Sequence, residues 1–398
     1  MNDGRAIQRV LQVHTRYRQA GGEDLVVEAE KQLLEEAGIA VRQVIFDNAD
    51  LQESKSLVGD LGLAMSAIWS RAAARRVTAA IVAGRPDVVH VHNTFPAASP
   101  SVFSAAVAQG VPVVQTLHNY RLICPAATAF RDGRACTDCV GRALPWPAVA
   151  HACVRGSRQQ SLVAVATSTL HRARGTFARD IARYISLTSF QREMMIEGGL
   201  PDDRICVIPN FLEPDPGIGG ASREGVLFVG RLAREKGIEV LLDAAAILPG
   251  VVRVVGTGPL ASLAQRAGAR GDIAYLGSRS RSSVGEEMRR ALALVLPSIW
   301  FEGFALVVLE AFASGTPVIA SRIGSLAEVI EDGVTGLLVE PHSASDLCDR
   351  IRWACDHPDE MRRMGLSARR RYEDRFRGRT HLSALMDTYV SAGSAEPR

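Results

Sequence analysis

The sequence predicts an α/β protein of two domains, each built on a parallel sheet with helices on both faces. Its 398 residues are enough for two domains that each bury a core. Short apolar runs of strand length alternate with helical segments along both halves. Residues 213–220 are rich in proline and glycine and mark a boundary. We therefore expect a first domain over 1–212, a linker over 213–222 and a second domain over 223–398.

The composition is that of an ordinary globular protein, with 47% hydrophobic and 22% charged residues. The N-terminal stretch has no apolar signal-peptide segment, and no run reaches the roughly 18 apolar residues of a membrane span. We therefore expect a cytoplasmic protein.

A basic segment stands out against the formal net charge of only +3. Six arginines lie within it and are opposed only by Asp180: Arg155, Arg158, Arg172, Arg174, Arg179 and Arg183. Such a patch can contact anionic lipids on the inner face of a membrane or an acceptor linked to a diphosphate. A solvated arginine-rich face is an equally good interpretation. Nucleic-acid binding is not expected, since no basic–aromatic interleaving or recognised module accompanies the arginines.

The chain begins with a β–α–β unit. Val10–Val13 is a predicted strand, a polar loop ends at Gly21 and Gly22, and a helix then leads to a second strand over Val41–Phe46. The loop lacks the G-x-G-x-x-G pattern of a dinucleotide site. A glycine pair at a helix start still lets the backbone approach a phosphate closely. The alternative is a simple tight turn.

Two histidines follow predicted buried strands of the first half. The strand over residues 87–93 contains His92 near its end, and His118 follows the strand over 111–117. Ligands collect at the carboxyl ends of strands in open α/β sheets. Both side chains are therefore candidates for a cleft, although a histidine at a strand end is more often structural.

A cysteine-rich insertion covers about residues 121–156. It contains four of the seven cysteines of the chain, and one pair has C-x₂-C spacing: Cys124, Cys136, Cys139 and Cys153. Without an export signal, this pattern indicates metal binding or redox chemistry rather than a disulfide scaffold. Four thiolates would make a closed, structural zinc site. Buried thiols without metal are the alternative.

The second half repeats the alternation of strand, loop and helix. A strand over Val226–Val229 leads to a loop that contains Arg231 and Lys236. Lys236 is one of only three lysines in a chain that otherwise uses arginine. Two cations at a strand–helix junction can neutralise a diphosphate. Gly277 follows a later strand over Ile273–Leu276.

The most informative stretch is Ser298–Glu310. It follows a buried strand over Ala291–Pro297 and predicts a turn with one carboxylate, Glu302, and a helix with a second, Glu310. The backbone N–H groups of Gly303, Phe304 and Ala305 at the helix start favour an anion. Carboxylates accept hydrogen bonds from hydroxyls. This combination suits a nucleotide-sugar.

With Glu302 and Glu310 as its E-x₇-E signature, the sequence resembles the retaining glycosyltransferases of family 4, whose two Rossmann-like domains face each other across a cleft in the GT-B fold. The resemblance covers nearly the whole chain. It implies catalytic roles for His118, Glu302, Arg231 and Lys236. It implies donor binding by Gly22, Arg231, Lys236, Gly277, Glu302, Gly303, Phe304, Ala305 and Glu310. In such enzymes Arg231 and Lys236 would hold the diphosphate, Glu310 the ribose, and the backbone near Gly277 the base.

The resemblance implies a hexosyltransferase of class EC 2.4 that takes a nucleotide-diphosphate-sugar as donor. A glycan or lipid-linked acceptor would serve cell-surface polysaccharide or lipopolysaccharide synthesis. No cofactor is implied for transfer, so zinc on the cysteines would be purely structural. The last helix is expected to cross back to the first domain. A non-catalytic sugar-nucleotide-binding or regulatory protein of the same fold is the alternative.

Overall fold

The structure, a computed structural model, describes residues 7–17, 21–49, 57–220 and 222–394. The chain divides into two units. The first unit extends to Thr128, includes Thr137–Pro209 and resumes at His381. The second unit contains Asn210–Thr380 together with the short segment Ala129–Cys136. Residue 221 of the predicted linker and the outermost residues of both predicted domains lie outside the described residues.

Strands are numbered in chain order. They are β1 (Arg9–Arg16), β2 (Ala40–Asp47), β3 (Val88–Val91), β4 (Val113–Leu117), β5 (Phe130–Arg131), β6 (Arg134–Ala135), β7 (Arg183–Ser186), β8 (Ile205–Val207), β9 (Val226–Val229), β10 (Val252–Val255), β11 (Ile273–Gly277), β12 (Ala293–Leu296), β13 (Val318–Ser321) and β14 (Gly336–Val339).

Helices are numbered in the same way. They are α1 (Gly22–Glu36), α2 (Leu57–Ile68), α3 (Arg71–Gly84), α4 (Ser101–Val107), α5 (Pro147–Ala150), α6 (Arg158–Ala173), α7 (Ser189–Glu197), α8 (Ile238–Ile247), α9 (Ala261–Arg270), α10 (Arg281–Arg290), α11 (Leu306–Ala313), α12 (Gly324–Val329), α13 (Ala344–Asp356), α14 (Pro358–Arg375) and α15 (Gly378–Gly393). Among these helices, none combines the length and the hydrophobicity that crossing a membrane requires.

Each unit contains a parallel sheet. The strand order is β2-β1-β3-β4-β7-β8 in the first unit and β11-β10-β9-β12-β13-β14 in the second. In both sheets the order reverses direction beside the first strand of the unit, which is the place where α/β folds bind ligands. The predicted α/β class with two doubly wound sheets is confirmed.

The sheet of the second unit is buried on both faces, and β9 shows why. Val226 and Phe228 belong to one apolar core, while Leu227 between them belongs to a second core on the opposite face. Successive side chains of a strand point to opposite faces, so an uninterrupted apolar run requires cover on both. Helices α8 and α13 contribute to the first core, and α11 and α14 to the second.

The last helix, α15, belongs to the first unit from His381 onward. Its residues Leu385 and Tyr389 are fully buried beside Val10 of β1 and Val88 of β3. The hydroxyl of Tyr389 lies 2.8 Å from Nδ1 of His90, which supplies the hydrogen bond that a buried phenol needs. The C-terminal segment thus completes the core of the N-terminal sheet.

The insertion over about residues 121–156, predicted to lie within the first domain, is divided between the two units. The hairpin of β5 and β6 lies in Ala129–Cys136, which belongs to the second unit. Its turn residue Gly133 approaches Arg234 closely, because a Cβ atom there would lie only 2.9 Å from the Arg234 Nη2. The packing of this short hairpin is a long-range contact that its local sequence does not encode.

Replacing a buried residue of α15 should destabilise the first unit. Leu385 is fully buried, so Leu385→Ala leaves a cavity and is expected to lower the free energy of unfolding by about 2–5 kcal/mol. Urea unfolding of the purified protein measures the change. Val390 on the same helix is 41% exposed, and Val390→Ala serves as the control with an expected change within about 0.5 kcal/mol. Equal effects of the two substitutions would contradict the packing of α15.

Candidate active site

Two loops of the second unit lie at the same edge of its sheet. One follows β9 and leads to α8, and the other follows β12 and leads to α11. Because β9 and β12 are parallel neighbours, their carboxyl ends meet. The Ile299 N–H donates a hydrogen bond of 3.0 Å to the carbonyl oxygen of Glu235, which joins the loops directly.

Gly237 permits the close approach of these loops. Its φ of +67° is in the left-handed region that glycine adopts without strain. A Cβ atom at this position would lie 1.8 Å from the carbonyl oxygen of Pro297, well inside van der Waals contact. Glycine is thus required both by the backbone angle and by the packing, and it brings the preceding residue, Lys236, against the β12 loop.

Lys236, whose side chain is half-buried, forms an ion pair with the buried carboxylate of Glu302. The Lys236 Nζ lies 2.8 Å from each carboxylate oxygen of Glu302, whose side chain is only 6% exposed. The Ser298 hydroxyl donates to Oε1 of Glu302 at 2.7 Å, and the Ser325 hydroxyl donates to the Glu302 carbonyl at 2.8 Å. Charge-assisted bonds of this kind are the strong ones in proteins. The pair holds a charged, well-ordered carboxylate at the start of α11.

The ionisation of Glu302 follows from these contacts. Burial alone raises the pKa of its carboxyl, but the Lys236 ammonium and the hydrogen bonds outweigh burial, so the pKa lies below its ordinary value. Burial raises the pKa of Glu310, and Arg281 at 3.9 Å opposes this only in part. The two carboxylates of the E-x₇-E signature therefore differ in electrostatic environment.

Arg231 lies apart from this pair. Its guanidinium pairs with Glu235 within the same loop, and its side chain is 55% exposed. The structure thus brings Lys236 and Glu302 together, and leaves Arg231 at the surface of the same loop. Its reach to a diphosphate held beside Lys236 stays a prediction.

The start of α11 differs slightly from the predicted start. The sequence predicts that the N–H groups of Gly303, Phe304 and Ala305 lie at the helix start, whereas α11 begins at Leu306 with Ala305 as its N-cap. Ala305 has no side-chain oxygen, so no side chain of this residue caps the first N–H groups. Gly277 ends β11 with a φ of +68°, and its carbonyl accepts a hydrogen bond of 2.8 Å from the Gly256 N–H. Contact of its backbone with a base stays a prediction.

In the first unit, the glycine pair is tied to a histidine through Asp24. The Gly21 N–H donates to Asp24 Oδ2 at 2.9 Å, and Asp24 Oδ1 lies 2.8 Å from His14 Nε2. Helix α1 begins at Gly22. His14 lies on β1, beside the strand that leads to His92, and the Nε2 of His118 lies 3.0 Å from the Nδ1 of His92.

Sequence analysis did not identify Glu30, His90, His14 or Asp24. A signal for Glu30 was present, because the buried positions of α1 are Val26, Val27, Glu30 and Leu34, so a glutamate falls on the apolar stripe. A buried carboxylate must be paired or hydrogen-bonded. Its partners come from β1, from β3 and the residues after it, and from α15, which no local pattern in α1 indicates.

Zinc binding by Cys124, Cys136, Cys139 and Cys153 stays a prediction. Among the described residues, the one group of three or more histidine, cysteine or acidic side chains whose ligand atoms lie within 4.8 Å of one another is Glu30, His90 and His92. Cys139 and Cys153 instead pack in a small apolar cluster with Ala148 and Val165. Cysteine behaves there as a small hydrophobic residue.

Only part of the predicted basic patch is exposed. Arg155, Arg158, Arg174 and Arg179 are exposed, whereas Arg172 and Arg183 are half-buried. The guanidinium of Arg172 donates to the carbonyls of Arg142 and Leu122, and that of Arg183 to Ser391 and to the Ala182 carbonyl. These two arginines therefore stabilise the first unit.

Acid should weaken the contribution of Glu302 to stability. Because its pKa is lower in the folded protein, the carboxylate stabilises the fold above its ordinary pKa of 4.5, and this contribution is lost as pH falls through the lower folded value. The difference in free energy of unfolding between the wild type and Glu302→Gln should thus shrink below about pH 4.5. Urea unfolding across a pH series measures it, with the exposed Glu224→Gln as control. A difference that grows on acidification would contradict the assignment.

Comparisons with known proteins follow the two halves of the chain. The model of the "Glycosyl transferase 4-like domain" family matches residues 21–210, and that of "Glycosyl transferases group 1" matches residues 221–371. Glycogen synthase of Mycobacterium tuberculosis (strain ATCC 25618 / H37Rv) is 30% identical over 326 residues, which cover 78% of this chain and 70% of the relative. D-inositol 3-phosphate glycosyltransferase of Streptomyces coelicolor is 29% identical over 340 residues, with the same two coverages.

Solved structures share the fold at low sequence identity. Sucrose-phosphate synthase from Thermosynechococcus elongatus superposes with a TM-score of 0.69 at 18% identity, and covers 96% of this chain and 98% of its own. Anabaena Alr3699/HepE in complex with UDP-glucose gives 0.67 at 19%, over 96% and 99%. The fold is therefore that of GT-B glycosyltransferases. The chain belongs to the group 1 glycosyltransferases, and is an enzyme of this class rather than the non-catalytic binding protein that the sequence left open.

Proposed function

We propose that this enzyme is a retaining hexosyltransferase that moves a sugar from a nucleotide-diphosphate-sugar to a glycan or lipid-linked acceptor. The observation that carries the proposal is the buried Lys236–Glu302 pair at the start of α11. A site for a nucleotide-diphosphate-sugar needs a cation that binds the diphosphate leaving group. Beside it, the site needs a carboxylate that accepts hydrogen bonds from the sugar hydroxyls. The pair offers both, next to helix N–H groups that favour an anion.

In the proposed mechanism, Lys236 neutralises the diphosphate as its oxygen leaves the sugar. The bond between the anomeric carbon and the phosphate oxygen breaks, and its electron pair stays on that oxygen. The acceptor hydroxyl forms the new bond on the same face of the sugar, and its proton passes to the departing phosphate. Stabilising charge that develops on the leaving group is the largest contribution a protein can make to such a step. No protein nucleophile is required.

The roles of the other predicted residues complete this proposal. Glu302 accepts hydrogen bonds from sugar hydroxyls, and Glu310 takes the ribose diol. Arg231, exposed on the same loop as Lys236, can leave Glu235 to bind the diphosphate. His118 and the Gly22 helix start remain candidate site residues of the first unit, for which we propose the acceptor surface. A uridine nucleotide is the first donor to test, since the solved relative from Anabaena binds UDP-glucose.

A lipid-linked acceptor would place the enzyme at the inner face of a membrane. Four exposed arginines in residues 155–179 supply positive charge, and the exposed Leu144 and Trp146 supply apolar contacts in the preceding segment. Anionic headgroups attract such a combination. Polysaccharide or lipopolysaccharide synthesis is the pathway class that we propose on this basis. A solvated arginine-rich face remains the alternative interpretation.

Removing the Lys236 charge should strongly reduce donor turnover. Each charge-assisted bond contributes about 1.5–3 kcal/mol, so Lys236→Gln or Glu302→Gln should lower turnover by about tenfold to a hundredfold or more. Release of nucleoside diphosphate from a panel of uridine and guanosine diphosphate sugars measures this, after thermal shift has selected the donor that stabilises the protein. Lys31→Gln on the surface of α1 is the matched lysine control. Turnover at the wild-type rate in both site variants would refute the proposed site.

Transfer should not require a divalent cation, because the proposed diphosphate ligands are the cations Lys236 and Arg231. Turnover in excess EDTA is expected to equal that of the untreated enzyme. Atomic emission of the purified protein, measured in the same series, tests whether zinc is bound at the cysteine-rich segment. Loss of turnover in EDTA that magnesium restores would contradict metal-independent transfer.

A further inference from the structure

A buried polar cluster lies at the carboxyl ends of β3 and β4 in the first unit. We define the Glu30 cluster as Glu30, His90, His92 and His118. Glu30 on α1 is 1% exposed, and His90 and His92 are equally buried. His118 is half-buried, so it is the member of the cluster that reaches the surface. The proposed mechanism uses only His118.

Glu30 is a carboxylate surrounded by donors. The Gln12 amide donates to its Oε1 at 3.0 Å, and Nδ1 of His90 lies 2.9 Å from the same oxygen. The Nε2 of His381 lies 3.4 Å from Oε2. Burial alone raises the pKa of Glu30, but His90, His92 and the hydrogen bonds outweigh it and hold this pKa well below its ordinary value. A full negative charge is thus held inside the first unit.

His92 lies between this charge and His118. Its Nε2 is 3.4 Å from Oε1 of Glu30, and its Nδ1 is 3.0 Å from Nε2 of His118. The contact with Glu30 is long and not aligned as a hydrogen bond, so it acts mainly through charge. Burial lowers the pKa of His92 to about 4 and that of His118 well below its ordinary value. Both imidazoles are therefore neutral near pH 7, and each has one ring proton.

Only one distribution of these two protons satisfies both contacts. The carboxylate of Glu30 requires the proton of His92 to be on Nε2, since a lone pair there would face a negative charge. The Nδ1 of His92 is then an acceptor, and the 3.0 Å contact requires a donor on the other side. The proton of His118 is therefore on Nε2. Moving the His118 proton to Nδ1 would place two lone pairs against each other. Moving the His92 proton to Nδ1 would place its Nε2 lone pair against the carboxylate and its N–H group against that of His118.

We propose that Glu30 and His92 are positioning residues that hold His118 as the Nε2-protonated imidazole, so that its Nδ1 is an acceptor for a ligand hydroxyl at the carboxyl ends of β3 and β4. The inference rests on the proposed function for its substrate, but its first part concerns the free protein. Among the described residues, Nδ1 of His118 has no hydrogen-bond partner. The hydrogen bond that one imidazole nitrogen makes determines whether the other nitrogen is a donor or an acceptor. In this proposal Glu30 determines it for His118 indirectly, through His92.

Nitrogen NMR tests the tautomer directly. In the whole protein labelled with ¹⁵N-histidine, the two ring nitrogens of a neutral histidine differ in chemical shift according to which one is protonated. The His118→Gln variant assigns the His118 signals by their absence. We expect the Nε2–H form in the wild type. Detection of the Nδ1–H form would overturn the proposal, and this measurement requires no variant of Glu30 to fold.

Glu30→Gln tests the source of the preference. A neutral amide can accept from or donate to His92, so His118 should become a mixture of both tautomers. Turnover at saturating donor should fall between about twofold and tenfold, as the competent form loses population. Glu28→Gln on the exposed side of α1 is the matched control and should change neither readout. An unchanged His118 spectrum in Glu30→Gln would overturn the proposal.

Two further outcomes are decisive. Glu30, His90 and His92 also have the spacing of a metal site, so a stoichiometric metal ion bound by these residues in the purified protein would overturn the proton assignment. Absence of turnover in the wild type with every donor tested would refute the proposed function. The NMR measurement of the His118 tautomer would still test whether Glu30 acts on His118 through His92. A failure of the proposed function can therefore be distinguished from a failure of this inference.

Discussion

The ion pair between Lys236 and Glu302 is the interaction on which the candidate site depends. A buried carboxylate is costly unless a cation and hydrogen-bond donors compensate it, and here Lys236 and Ser298 do so at 2.8 and 2.7 Å. The approach of the two loops requires Gly237, since any side chain there would meet the backbone of Pro297. Lys236 and Gly237, which are adjacent in sequence, thus form a single structural unit with Glu302, which lies 66 residues after Lys236.

Both units hold a buried negative charge at the carboxyl edge of their sheets, but they compensate it differently. In the second unit a single lysine neutralises Glu302 directly. In the first unit Glu30 is surrounded by Gln12 and by histidines that share its charge through hydrogen bonds. A lysine can move to an incoming phosphate, whereas a histidine network fixes proton positions. We therefore associate the first arrangement with binding the leaving group and the second with orienting a hydroxyl.

Much of the fold could be predicted, because it follows from short-range patterns. Uninterrupted apolar runs such as Val226–Val229 predict strands buried on both faces, and their alternation with helices predicts parallel sheets. The sequence predicts Ala129–Cys136 within the first domain, whereas this segment groups with the second unit. The contact between Gly133 and Arg234 joins segments a hundred residues apart, which local patterns do not encode. The four clustered cysteines predict a zinc site, and this stays a prediction because spacing along the chain does not specify where thiols point.

The sequence by itself determined the α/β class, the family of the enzyme, and which residues carry charge at the ends of β9 and β12. Residue type and local spacing are enough for these, since periodicity encodes strands and helices and the E-x₇-E signature is local. Only the tertiary structure decided that Lys236, rather than Arg231, pairs with Glu302, and that His92 lies between Glu30 and His118. These contacts join separate strands and helices, so their geometry exists only after the sheets have formed.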